Sequence, residues 1–193
     1  MGVRNKKGRA IFLFCLLFSF FPVTAGEDTL MSGDMIFRHG SGFWSELIRK
    51  NTPRDKRFSH VGVIYIEHGK IWVIHAEGND FSGQGQVEKV PLTDFVRTAK
   101  KVGFFRLKLS TKERSDFACN ALAMLNVEFD WKFDKNDHSK VYCTELLYAA
   151  LQKTKPDWLT LPDSPVIPVS LFSAPETATE LTVNIPEAIR RKP

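Results

Sequence analysis

Residues 58–76 read FSHVGVIYIEHGKIWVIHA. Two runs rich in β-branched and aromatic residues, Phe58–Ile66 and Ile71–Ala76, flank Glu67-His68-Gly69-Lys70. The glycine falls where a tight turn wants positive φ, so the stretch predicts a β-hairpin with His68-Gly69 as its two-residue loop. In that register Glu67 faces Lys70, Gly62 faces His75, and His60 faces Glu77. Side chains alternate along a strand, so His60, Gly62 and Ile64 share a face with Glu77, His75 and Val73. Two imidazoles and a carboxylate then gather at one end of one face, and Gly62 leaves room for His75 to lean toward His60. A one-residue slip would scatter the group. Such polar groups on an apolar strand pair are costly unless paired or functional. The competing reading is that the hairpin simply ends in solvent here.

Outward from the hairpin the chain reads as α+β. Ser32–Arg38 is a turn entering a short strand, and a helix follows around Trp44–Arg49. After the hairpin come a glycine-rich loop at Gly78–Gly85 and a strand at Val87–Val90. A short helix then starts near Pro91, and Val102–Leu109 returns as a strand. Ser110 with Glu113 is a capping-box signal ahead of a helix whose stripe is Phe117, Ala118, Ala121, Leu122 and Leu125. A polar loop, Asp134–Lys140, leads to a helix at Cys143 with the stripe Leu146, Leu147, Ala150 and Leu151. The proline-rich tail from Lys155 is expected to wrap the surface with little regular structure. The expected architecture is a small antiparallel sheet in the first half of the chain, packed against helices.

The amino terminus bears on the compartment. Arg4, Lys6, Lys7 and Arg9 precede an apolar run over Ile11–Phe21, and Val23-Thr24-Ala25 offers small residues at −3 and −1 of a cut before Gly26. That is the layout of a signal peptide over 1–25, leaving one domain over 26–193 that is exported to the periplasm or secreted. The apolar run is too short for a membrane span, so no stable span is expected after cleavage. Of 27 Lys plus Arg against 22 Asp plus Glu, four bases lie in the signal, which leaves 23 against 22. No basic stripe interleaved with aromatics remains, so nucleic acid is excluded as a partner.

Removal of Cys15 with the signal leaves Cys119 and Cys143. Two cysteines are no disulfide framework, although one bridge between them stays open. Cys119 lies near the Ala118/Leu122 stripe and is read as a core thiol. Cys143 opens a helix whose stripe must pack on something, most simply the sheet that carries His60. The positive end of the macrodipole favours a thiolate there, and a strand-borne histidine would supply a base. A zinc set of Cys143, His60, His75 and Glu77 is the rival, but the spacing lacks tight metal-ligand pairs, and no metal or cofactor is expected. His39 and His138 are read as solvated loop residues, and His68 as part of the turn. Phe43, Trp44 and Trp131 are assigned to packing rather than to a groove. The 78–85 loop is placed over the site.

Ser59-His60-Val61-Gly62-Val63, Val73-Ile74-His75-Ala76 and Tyr142-Cys143-Thr144-Glu145-Leu146 resemble, in that order, the motifs of the YiiX/YebB-like family. These are circularly permuted papain-fold hydrolases related to NlpC-type cell-wall peptidases and to the lecithin:retinol acyltransferase group. Gly33-Asp34-Met35-Ile36-Phe37 and Phe129-Asp130-Trp131-Lys132-Phe133 resemble the family's opening strand and the stretch before its cysteine helix. The resemblance implies a permuted papain-like (NlpC-like) fold. It implies Cys143 as nucleophile, His60 as general base, and an orienting residue at the His75 position, where family members often carry Glu; Glu77 is the alternative. It further implies a hydrolase cleaving an amide or ester bond, with a peptide, muropeptide, acylated small molecule or lipid as substrate. Its alternatives are a lipid acyltransferase and an inactive binding domain.

Overall fold

The structure, a computed structural model, describes residues 28–40, 43–79, 81–134, 137 and 139–185. The expected signal segment at 1–25 and His138 lie outside the described residues, as do the side chains of Phe43 and Trp44. In chain order the elements are β1 (Asp34–His39), α1 (Phe43–Asn51), β2 (His60–Glu67), β3 (Lys70–Asn79), β4 (Gln84–Pro91) and α2 (Leu92–Arg97). Then follow β5 (Lys101–Leu107), α3 (Thr111–Leu122), α4 (Cys143–Thr154), α5 (Ser170–Ser173) and β6 (Ala178–Leu181). The strands form one six-stranded sheet in the order β4-β3-β2-β1-β5-β6, every neighbouring pair antiparallel.

The hairpin folds as its turn chemistry dictates. His68 and Gly69 both take positive φ, 49° and 74°, the two-residue turn whose twist matches that of the strands. The ladder then runs from Glu67↔Lys70 to Val63↔Ile74, the expected register. Strands β3 and β4 continue further than their polar composition suggested: Gly78 pairs with Gly85 and Asn79 with Gln84. The loop between them is correspondingly short, and Phe81 at its tip is fully exposed. Its Gly78 end lines the same cavity as His60 and Glu77, and Ser82–Gly85 border a groove beside Glu77.

Parity divides the sheet into two packed faces. Val61, Val63, Ile74 and Ala76 meet Leu146, Leu147 and Ala150 of α4 and Phe117 of α3 in the larger core. Ile36, Ile64 and Val73, on the opposite face, meet Leu92, Phe95 and Val96 of α2. Helix α3 starts on the expected capping box: Glu113 N–H donates to Ser110 Oγ at 3.2 Å, and Ser110 N–H donates to Glu113 Oε2 at 2.8 Å. Phe117, Ala118 and Ala121 are its buried stripe. Cys119 lies one residue past Ala118, about 100° round the helix, and is exposed, so it is not the core thiol the sequence suggested. Both cysteines are free, which removes the bridge.

Two departures concern the ends of the sheet. The tail contributes α5 and the strand β6, which pairs with β5 from Phe104↔Leu181 to Leu107↔Ala178. Only Ala178 and Leu181 of its four residues face inward, too short a pattern to stand out in a sequence. At the start of β1, Asp34 is fully buried and accepts from Arg106 Nε and Nη2 at 2.7 and 2.8 Å. Gly33 takes φ 88°, and a Cβ there would lie 2.1 Å from the Arg114 carbonyl oxygen. The Gly33-Asp34 pair thus anchors the sheet to β5 and α3.

Candidate functional site

Strands β1, β2 and β3 carry the polar cluster side by side. Arg38 pairs with His60 across β1–β2, and His75 pairs with Glu88 across β3–β4. Opposed residues share a face, so these groups converge on the α2 side of the sheet. His60 Nε2 lies 3.0 Å from His75 Nδ1 and 3.2 Å from Glu77 Oε2, and His75 Nδ1 lies 3.1 Å from the same oxygen. The Arg38 guanidinium pairs with Glu77, donates to the Phe95 carbonyl at 3.1 Å, and sits over the Phe95 ring at 4.5 Å. Phe95 also stacks on His60 and meets His75 edge-on, with centroids 5.6 and 5.0 Å away. Gly62 admits this crowd, since a Cβ on it would lie 2.5 Å from Val73 Cγ1 and 3.2 Å from His75 Cβ.

Burial shapes the protonation of the cluster. It pushes His60 and His75 below the ordinary imidazole value, outweighing the pull of Glu77. For Glu77, burial would raise the carboxyl, but the two histidines and Arg38 win and hold it well below the usual range. The cluster is thus two neutral rings on one carboxylate that is balanced by one guanidinium.

Cys143 reaches this region from the other side. Its helix packs on the Val61/Val63/Ile74/Ala76 face, opposite the one that bears His60, which corrects the expectation that both share a face. The thiol comes up at the start of β2, where the backbone N–H of Val61, next to His60, donates to the sulfur. Among the described residues no hydrogen bond joins Cys143 to His60, and the polar side-chain partners of His60 are His75 and Glu77. Burial pushes the Cys143 thiol up to about 12, against the N–H of Val61. A resting thiolate, expected from the helix dipole, is therefore not what the structure holds.

Thiol and cluster open into one cavity of about 390 Å³, lined among others by Arg38, His60, Glu77 and Cys143. Its walls are mostly apolar: Ile48, Pro53, Phe129, Trp131, Val166 and Ile167 all face it. The residues beside Cys143 build the far wall. Tyr142 Oη accepts from Ile167 N–H at 2.8 Å and Thr144 Oγ1 donates to the Ile167 carbonyl at 2.7 Å, stapling the tail to the start of α4. Buried Asp130 accepts from the N–H groups of Lys132 at 2.8 Å and Asp134 at 2.6 Å, a turn from whose stretch Phe129, Trp131 and Phe133 line the cavity. Trp131 thus lines the cavity while also packing on Phe129, with ring centroids 4.8 Å apart.

Three groups at the site escaped the sequence reading. Arg38 could have been found from register, as the partner of His60 across β1–β2; Phe95 and the Ile167 strap carried no local signal. His39, read as solvated, ends β1 half-buried and bonds Glu46 at 2.8 Å. The zinc set considered from sequence loses its thiol: His60, His75 and Glu77 place ligand atoms within 4.8 Å of one another, and Cys143 is not among them.

Comparisons with known proteins agree with this architecture. The model of the family described as "Permuted papain-like amidase enzyme, YaeF/YiiX, C92 family" matches residues 29–162. Among solved structures the chain resembles the metalloprotein yiiX from Escherichia coli O157:H7, with a TM-score of 0.60 and 20% identity over 81% of this chain and 98% of that one. No curated protein matches the chain. Among the described residues no helix is long and apolar enough to cross a membrane.

Proposed function

Because the chain belongs to the family of permuted papain-like amidases, we propose that it is a cysteine hydrolase of amide or ester bonds with Cys143 as nucleophile and His60 as general base. The observation that carries the proposal is that one cavity receives both a helix-start thiol and His60 and Glu77, with His75 buried behind them. With His60 Nε2 held by His75 and Glu77, Nδ1 is the nitrogen left to take the thiol proton as Sγ attacks the carbonyl carbon. The leaving amine or alkoxide collects that proton, and an acyl-thioester remains on Cys143. Water, deprotonated by His60, attacks the thioester and restores the thiol. His75, at 3.0 Å, orients His60, and Glu77 holds both rings. The Cys143 N–H, at the open first turn of α4, supplies one oxyanion donor.

The cavity favours an apolar acyl group over a cell-wall peptide. Among the described lining residues Arg38 is the one Lys or Arg, and it is committed to Glu77, whereas carboxylate-rich muropeptides call for free cationic partners. A second, more polar groove bordered by Gln84, Gln86, Glu88 and Glu128 adjoins at Glu77, Phe129 and Trp131 and leaves space for a polar leaving group. The signal-like amino terminus supports a site of action outside the cytoplasm. The test is hydrolysis of N-acyl amino acids, phospholipids and muropeptides by wild type and Cys143→Ala. Acyl substrates turned over by wild type and not by the variant are the expected result. Full activity in Cys143→Ala would end the proposal.

The solved yiiX is described as a metalloprotein. Here His60, His75 and Glu77 offer two imidazole nitrogens and a carboxylate oxygen, a donor set that fits a borderline cation such as zinc. A cation held there would supply Lewis acidity at the cavity wall, while the three residues would keep their places on β2 and β3.

A further inference from the structure

We propose that a divalent transition cation and the thiol chemistry exclude each other at this site: His60, His75 and Glu77 bind the cation in competition with Arg38, and its presence turns the hydrolase off. The second half rests on the Cys143–His60 reading above; the first half stands on geometry alone.

The three facing atoms, His60 Nε2, His75 Nδ1 and Glu77 Oε2, form a near-equilateral triangle with edges of 3.0, 3.2 and 3.1 Å. Tetrahedral zinc, with bonds of ~2.0–2.1 Å, sets its ligand atoms about 3.3 Å apart, so the triangle needs to spread only by tenths of an ångström. Three protein ligands leave a fourth position, and Glu77, the most exposed of the three with 38% of its side chain accessible, faces the cavity that would deliver the ion. The remaining nitrogen of His75, Nε2, makes no hydrogen bond but lies 3.4 Å from Glu88 Oε1. A carboxylate behind a ligating imidazole is the usual outer partner of a metal-bound histidine.

The same atoms are already in use. Glu77 carries the Arg38 guanidinium, which a dication would have to push aside; Arg38 would keep the Phe95 carbonyl and ring. His60 Nε2 would give its lone pair to the metal, leaving the proton of the neutral ring on Nδ1, the atom that must be bare to accept the proton of Cys143. The thiol itself lies outside the ligand set. The cation thus removes the base without touching the nucleophile.

The test is titration of the purified, chelator-stripped protein, in a Cys119→Ser background, with cobalt(II) followed by visible absorption and with zinc(II) followed by calorimetry. One equivalent should bind to the parent and equally to Cys143→Ala, with d–d bands and no thiolate-to-cobalt charge-transfer band. His75→Gln and Glu77→Gln should weaken binding at least about 100-fold. Arg38→Gln should tighten it, a change that loss of folding cannot imitate. Zinc should stop acyl-ester turnover, and a chelator should restore it. Absent stoichiometric binding, loss of binding in Cys143→Ala, or indifference to His75→Gln, Glu77→Gln and Arg38→Gln would each overturn the site. Full turnover with zinc bound would overturn the exclusion. If metal binds as described but Cys143→Ala still hydrolyses, the hydrolase reading fails and the metal site stands.

Discussion

At the scale of the residue, Cys143 is where two effects oppose each other. The first turn of α4 offers the positive end of a helix dipole, worth up to ~2 kcal/mol in favour of a thiolate, or about one and a half pH units. Burial works the other way and wins, lifting the thiol to about 12 from an ordinary value of ~8.5. The resting pair is therefore neutral thiol and neutral imidazole, and in the proposed mechanism the proton would move only as the carbonyl is attacked. In a Cys119→Ser background, alkylation of Cys143 by iodoacetamide should keep accelerating from pH 7 to pH 10. A rate that levels off at or below pH 8.5 would show a preformed ion pair instead. None of this was readable in KVYCTELLYAAL at 140–151, because the sequence shows the helix start but not the strand that closes over the sulfur. The His60, His75 and Glu77 contacts were readable, because parity and a two-residue turn fix them locally.

At the scale of the element, α4 carries a second titrating group. Glu145, in the first turn of the helix, accepts from the Tyr142 N–H at 3.2 Å and is buried. Burial, reinforced by Asp130, Asp134 and Asp137 and opposed by that N–H, raises its carboxyl to about 7. In the unfolded chain it titrates near ~4.3. Between those values the native state holds the proton and the unfolded state does not, so stability falls as pH rises from about 4.3 to about 7. Glu145→Gln keeps the acceptor for Tyr142 and removes the charge. Its urea midpoint, relative to wild type, should therefore climb across that interval and level off above it; parallel curves for the two proteins would show that Glu145 ionises freely. Elements were legible unevenly. The capping box of α3 and the turn of β2–β3 are short-range signals and stand where expected, whereas β6 earns its place in the sheet only by pairing with β5.

At the scale of the whole molecule, the site exists because two separately packed faces of one sheet end at the same place. The larger core delivers Cys143 to the start of β2, the smaller one holds His60, His75 and Arg38 against Phe95, and the cavity lies where they meet. Sequence patterning identified α+β and the hairpin face, but not that the cysteine helix lies across the sheet from the histidines. That choice is made by the apolar parity of Val61 and Val63 against Leu146 and Leu147, a contact between segments some eighty residues apart. The apolar walls likewise come from three separate stretches, around Ile48, Trp131 and Ile167, assembled only by folding. In the proposed mechanism this assembly makes Cys143 the acyl acceptor. The measurement that tests this most directly is intact-mass and peptide-level mass spectrometry of the protein quenched during turnover of a medium-chain p-nitrophenyl ester. One acyl group is expected, mapped to the peptide that contains Cys143 and missing in Cys143→Ala. An acyl group on another residue, or turnover undiminished in Cys143→Ala, would contradict it.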